Sequence, residues 1–182
     1  IVDSTADFSA KEIEKRQITC IPMTVTFGNE QYIDGVDLTK EEFFVKLTNE
    51  KEFPKTSQPS PAKFADCFEE AKENGDDVVA ILVSGALSGT VQSATIAKDI
   101  AEHDGVYIVD SKSATLGIRL LVDRAVRMRD QGKSAKEIAE ALDELKARVR
   151  LFAGLDTLEY LQKGGRISKT AASIGRLAGI KP

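Results

Sequence analysis

Two rhythms of apolar residues alternate along the chain. Val78 to Val83 is an unbroken aliphatic run, the pattern of a strand buried on both faces. Val106 to Val109 is the next strand, and Ile1-Val2 reads as the tail of another. Cys20 to Phe27 alternates apolar with polar, as a strand with one wet face does. Gly28-Asn29 then turns it toward a return strand at Tyr32-Ile33. Between these runs the apolar residues recur every three or four positions, which is helical spacing. Phe64, Cys67, Phe68 and Ala71 form one such stripe; Ile138, Leu142, Leu145 and Val149 form another.

Local signals punctuate the pattern. Ser9 with Glu12, Thr39 with Glu42 and Ser134 with Glu137 are capping boxes that open helices running to about Arg16, about Asn49 and through Val149. Ser60 before Pro61 opens another, which Asn74-Gly75 stops. Further helices run from near Ser88 to near His103 and from Ala114 to Gln131. This β-α-β-α order predicts an α/β fold, a parallel sheet flanked by helices on both faces, with a small β-hairpin insertion and the start of a second α/β domain. The division is 1–149 for the first domain, with about 18–55 as a hairpin-plus-helix insertion, and 150–182 for the beginning of the second. There Leu151 to Leu155 is a short strand candidate and Ala171 to Leu177 a small-residue helix. Ile1 is not a natural start, and Lys181-Pro182 is an abrupt stop, so the chain is expected to be incomplete at both ends.

Charge and composition narrow the function classes. The 25 basic residues are outnumbered by 29 acidic ones, for a net charge of −4. That balance lacks the basic face that nucleic-acid binding requires. The longest aliphatic run is far too short to cross a bilayer. Cys20 and Cys67 lack CxxC spacing and read as free thiols of a reducing cytoplasm.

Candidate chemistry concentrates in two hydroxyl-rich loops, each feeding a helix. One is Thr56-Ser57-Gln58-Pro59-Ser60-Pro61; the other is Ser84-Gly85-Ala86-Leu87-Ser88-Gly89-Thr90, directly after the aliphatic run. Such loops turn N–H groups and hydroxyls toward one spot, which suits an anion. In a parallel sheet, ligands bind beyond the carboxyl ends of the strands, where Ser84 to Thr90 and Asp110-Ser111 both lie. Serine catalysis at Ser88 needs a base. The one histidine, His103, falls about 22 Å away at the other end of the expected helix. Ala86 also stands where the nucleophile elbow needs its first glycine. No phosphate-loop or dinucleotide fingerprint is present. Gly164-Gly165-Arg166 suits either a phosphate or a plain surface turn. The carboxylates Asp3, Asp7, Asp34, Asp37 and Asp110 are scattered without metal-ligand spacing, and Asp3-Ser4-Thr5 reads as a cap. What remains is recognition of an anion by neutral donors, with Thr56 and Ser88 brought together by folding.

Taken together, Asp3-Ser4-Thr5-Ala6-Asp7, Thr56 to Pro61, Leu87-Ser88-Gly89-Thr90 with Gln92-Ser93-Ala94, Val109-Asp110-Ser111, and Leu161 through Gly164-Gly165-Arg166-Ile167-Ser168 resemble the DegV family of bacterial fatty-acid-binding proteins. The resemblance runs in order over essentially the whole chain. It implies a long-chain fatty acid such as palmitate or oleate, held in a tunnel as ligand, with no cofactor, no metal and no catalytic residue of the chain's own. It also implies a separate ATP-dependent fatty acid kinase as partner, which phosphorylates the presented carboxylate and feeds phospholipid synthesis in the cytoplasm, with transient membrane contact compatible. Thr56 and Ser88 match the carboxylate contacts; Ser57, Gly89, Thr90 and Arg166 are supporting head-group contacts. Phe27, Leu116, Ile118 and Leu158 are candidates for tunnel wall or for ordinary core. Two other readings stay open: a hydrolase or transferase with Ser88 as nucleophile, and a binder of small phosphorylated metabolites.

Overall fold

The computed structural model describes residues 1–50 and 52–168. Strand β1 (Val2–Asp3) runs into a 3-10 turn at Ser4–Ala6, and α1 (Ala10–Arg16) follows. Next come β2 (Cys20–Ile21), β3 (Thr24–Phe27), β4 (Glu30–Ile33), α2 (Lys40–Asn49) and β5 (Lys55–Ser57). Then α3 (Pro61–Asn74), β6 (Val78–Leu82), α4 (Thr90–Ala101), β7 (Val106–Asp110), α5 (Leu116–Asp130), α6 (Ala135–Lys146) and α7 (Glu159–Lys163) complete the order. The three capping boxes form as the sequence predicts, at the starts of α1, α2 and α6.

The main sheet is parallel throughout, in the order β2-β1-β6-β7. It is covered on both faces. One face packs Phe64 and Phe68 of α3 and Ala94, Ala97 and Ala101 of α4 against Ala80, Leu82 and Val106. The other packs Ile118, Leu121 and Val122 of α5 and Ile138 and Leu142 of α6 against Val2, Ile81 and Val109. Alternate residues of β6 thus feed opposite cores, which is why Val78 to Val83 reads as continuously apolar. No helix among the described residues is long and apolar enough to cross a membrane.

A second, antiparallel sheet has the order β4-β3-β5. The alternating run Cys20 to Phe27 is therefore not one strand. It breaks at Pro22-Met23: β2 joins the parallel sheet, and β3 pairs with β4 and β5. Proline supplies no N–H for a ladder, so the chain changes sheets there. A second correction concerns Thr56-Ser57, which lie on strand β5 rather than in a loop. A third is Leu151 to Leu155, which forms no strand; Phe152 is 90% exposed, with no ladder partner to cover it. The expected helix at Ala171 to Leu177, and with it the end of the 150–182 unit, lies outside the described residues.

Candidate functional site

The site grows from the carboxyl end of β6. Asp3, 1% exposed, ends β1 and braces the neighbouring strand. Its Oδ2 accepts from Val83 N at 2.7 Å, and its Oδ1 accepts from Thr5 N at 3.0 Å and Thr5 Oγ1 at 2.5 Å. Burial raises the Asp3 pKa, against the lowering pull of these hydrogen bonds. One residue on, Ser4 Oγ accepts from Met23 N at 3.0 Å, tying the second sheet to the first.

Beyond Val83 the loop folds on itself. Ser84 O accepts from Leu87 N at 2.9 Å and Ser88 N at 3.1 Å, and Ser84 Oγ accepts from Ala86 N at 3.3 Å. Gly85 N donates to Asp110 Oδ1 at 3.2 Å. Burial pushes the Asp110 carboxyl up, but donors on Lys112 and Gly85 outweigh it and hold it below its ordinary value. The N–H groups of residues 85–88 are thus spent inside the protein, and the sequence-based picture of a loop aiming them at an anion does not hold there. The available donors are the Ser88 hydroxyl and the start of α4. The N-cap of α4 is Gly89, which has no side chain to cap the orphan N–H groups of the first turn.

Ser88 is half-buried, with Oγ 2.8 Å from Thr90 Oγ1. Thr90 is fully buried and donates to Met23 Sδ at 3.8 Å. On the adjoining strand, Thr56 pairs with Val25 and Ser57 with Thr24, and both hydroxyl residues are exposed. Gln58 then leans on Gly89: a Cβ on Gly89 would stand 2.6 Å from Gln58 Nε2. Thr56 lies two residues, or about 7 Å of extended chain, from Gln58. The segment bearing Thr56 therefore meets the one bearing Ser88 through Gln58 against Gly89, and Met23, directly before the neighbouring strand β3, meets it against Thr90.

Arg166 reaches the same loop. Gly165, at φ 77°, and Arg166 close the end of α7, with Gly165 N donating to Gln162 O at 3.0 Å and Arg166 N to Leu161 O at 2.9 Å. That turn aims the guanidinium so that Nε donates to Leu87 O at 3.3 Å. Arg166 itself is exposed. Tyr160 of α7 also packs on Phe53, with ring centroids 5.8 Å apart.

Other candidates separate clearly. His103 Nε2 is 2.9 Å from Asp76 O, and Gly105 N donates to its Nδ1 at 3.3 Å, so the imidazole serves a turn beyond the end of α4. Phe27 and Ile118 belong to packed cores, at 3% and 0% exposure. Leu116 is 65% exposed, at the start of α5. A hollow of about 570 Å³ opens at the amino ends of the strands, lined by Ile1, Gln17, Asp76 and Arg129 among others, on the opposite side from the hydroxyl groups. Sequence reasoning assigned no role to Gln58 and none to Met23. Gln58 sits inside the Thr56 to Pro61 motif; Met23 carries no signal in the sequence, since its contact with Thr90 is made by the fold.

The sequence model of the DegV family matches residues 1–182. The chain belongs to the DegV family. It is 38% identical over 182 residues to a DegV domain-containing protein of Caldanaerobacter subterraneus subsp. tengcongensis, covering all of this chain and 65% of that protein. It thus spans just under two thirds of that relative's length. Among solved structures, a stearic acid-binding protein from Eubacterium ventriosum superposes with a TM-score of 0.86 at 37% identity, covering 94% of this chain and 62% of that one. A fatty-acid-binding DegV protein from Thermus thermophilus gives 0.85 at 35% identity, covering 100% and 64%.

Proposed function

We propose that this DegV chain binds a long-chain fatty acid, with the carboxylate held by Thr56 and Ser88. The observation that carries the reading is the contact of Gln58 on Gly89, which brings the segment bearing Thr56 and Ser57 to the one bearing Ser88, beside the uncapped start of α4. Hydroxyls and helix N–H groups bind a carboxylate without a fixed countercharge, so the ligand can be released again. Stearic acid binding in the Eubacterium ventriosum relative and heptadecanoic acid in a Eubacterium eligens relative support the ligand class. Exposed Leu87 and Leu116 supply apolar surface at the same end of the sheet, where each buried CH₂ of a tail contributes about 0.8 kcal/mol.

In this reading the chain does no chemistry itself. Ser88 Oγ faces another hydroxyl rather than a base, and the single histidine serves a distant turn. The carboxylate is presented to a separate ATP-dependent kinase in the cytoplasm, the acyl phosphate feeds phospholipid synthesis, and Arg166 accommodates the added negative charge. Ser57 and Gly89 line the head-group site. Titration of the delipidated full-length protein with oleate tests the site. Thr56→Ala and Ser88→Ala each weaken binding by about tenfold or more, as loss of a hydrogen bond to a charged group does. Wild-type affinity in both variants overturns the assignment.

A further inference from the structure

The order of donors behind Ser88 follows from counting protons. Thr90 Oγ1 carries one proton, and Met23 Sδ, 3.8 Å away, carries none and can only accept. With the Thr90 proton on the sulfur, Thr90 Oγ1 must accept from Ser88 Oγ, 2.8 Å away. The Ser88 proton then points inward, away from any ligand. A carboxylate is acceptor-only and needs that proton. When it takes it, Ser88 Oγ becomes an acceptor, and the Thr90 hydroxyl turns from sulfur to Ser88. Both hydroxyls rotate; no covalent bond forms or breaks. Thr90 is fully buried and Met23 is 6% exposed, so water does not readily substitute for either partner.

We propose that Thr90 and Met23 are positioning residues that set the direction of the Ser88 hydroxyl, with the Met23 sulfur holding the Thr90 proton while no anion is bound and giving it up when a carboxylate docks. Thr90 thereby acts through Ser88 rather than touching the head group. This inference rests on the Ser88 reading above. It makes a signed prediction about Met23. A leucine of similar volume removes the sulfur acceptor, leaves the Thr90 proton with Ser88 alone, and prearranges the loop for an anion.

The test is calorimetric titration of the delipidated full-length protein with oleate, with thermal unfolding of each variant as the control for folding. Ser88→Ala weakens binding roughly 10- to 100-fold. Thr90→Val removes the inner acceptor that turns the Ser88 proton away from the ligand and tightens binding about 2- to 3-fold, and Thr90→Ser retains wild-type affinity. The Ser88→Ala, Thr90→Val double variant binds within about twofold of Ser88→Ala, because one residue acts through the other. Met23→Leu tightens binding about 2- to 3-fold. No gain in Thr90→Val, no gain in Met23→Leu, or a Thr90→Val gain that persists in the double variant overturns the inference while a large Ser88→Ala loss leaves the carboxylate site standing. Wild-type affinity in Ser88→Ala removes both.

Discussion

Asp3 Oδ2 accepts a 2.7 Å hydrogen bond from the backbone N–H of Val83, 80 residues along the chain. The contact joins the end of β1 to the end of β6, so a buried carboxylate sets where the loop bearing Ser88 begins. Asp3 serves three donors with two oxygens. An amide offers one acceptor oxygen and turns an N–H₂ toward one of those donors. Asp3→Asn is therefore expected to lower stability by about 1–3 kcal/mol, the cost of a buried donor left unmade. Urea unfolding measures it; an unchanged midpoint shows that the bond does not brace the loop.

Acid stability divides by sign. Glu12 is held down to about 2 by the backbone N–H and hydroxyl of Ser9 and by Arg119; Glu137 is held to about 2 by Lys133 and by the N–H and hydroxyl of Ser134. Both bind protons more weakly folded than unfolded. Their contribution is present above pH 4.5 and fades as pH falls toward 2. Asp3, raised by burial, acts oppositely: its charging removes stability as pH rises from 3.8 through its folded value. Glu12→Gln and Glu137→Gln should flatten the acid limb of a stability-pH profile. Asp3→Asn should steepen it above pH 3.8.

Gly89 has an ordinary φ of −75°, so the backbone tolerates alanine there. The added Cβ would meet Gln58 Nε2 at 2.6 Å, and the exposed amide must move. Gly89→Ala is expected to lower stability by about 0.5–1 kcal/mol, since alanine is a poorer N-cap than glycine. Oleate affinity should fall severalfold, because the contact aligning the two segments is displaced. Equal binding by the variant, measured by calorimetry, detaches Gln58 from the site.

Gly165 differs, since its φ of 77° is strained for any side chain. Gly165→Ala should cost roughly 1 kcal/mol in the turn that closes α7. The effect should spread to the loop that Arg166 holds through Leu87 O. Hydrogen exchange at residues 84–90 reports it: faster exchange supports the link, and unchanged exchange breaks it.

Much of the main sheet and its covering helices was legible because their signals are local. A capping box such as Ser134 with Glu137 uses residues three apart, and the Phe64, Phe68 stripe needs only helical geometry. The strand Lys55–Ser57 was missed because its three residues are polar and exposed, leaving no alternation to read. Pro22 was visible, yet its meaning, a passage from one sheet to another, depends on which strands lie alongside.

The amino-acid order alone determined the alternation of strands and helices, the parallel sheet covered on both sides, and the two hydroxyl-bearing segments, because periodicity and capping act within a few residues. Tertiary structure alone decided that Gln58 meets Gly89, that Met23 sulfur faces Thr90, and that Asp3 anchors the start of the loop bearing Ser88. Those contacts span tens of residues, and their geometry follows from how two sheets pack, which no local pattern encodes.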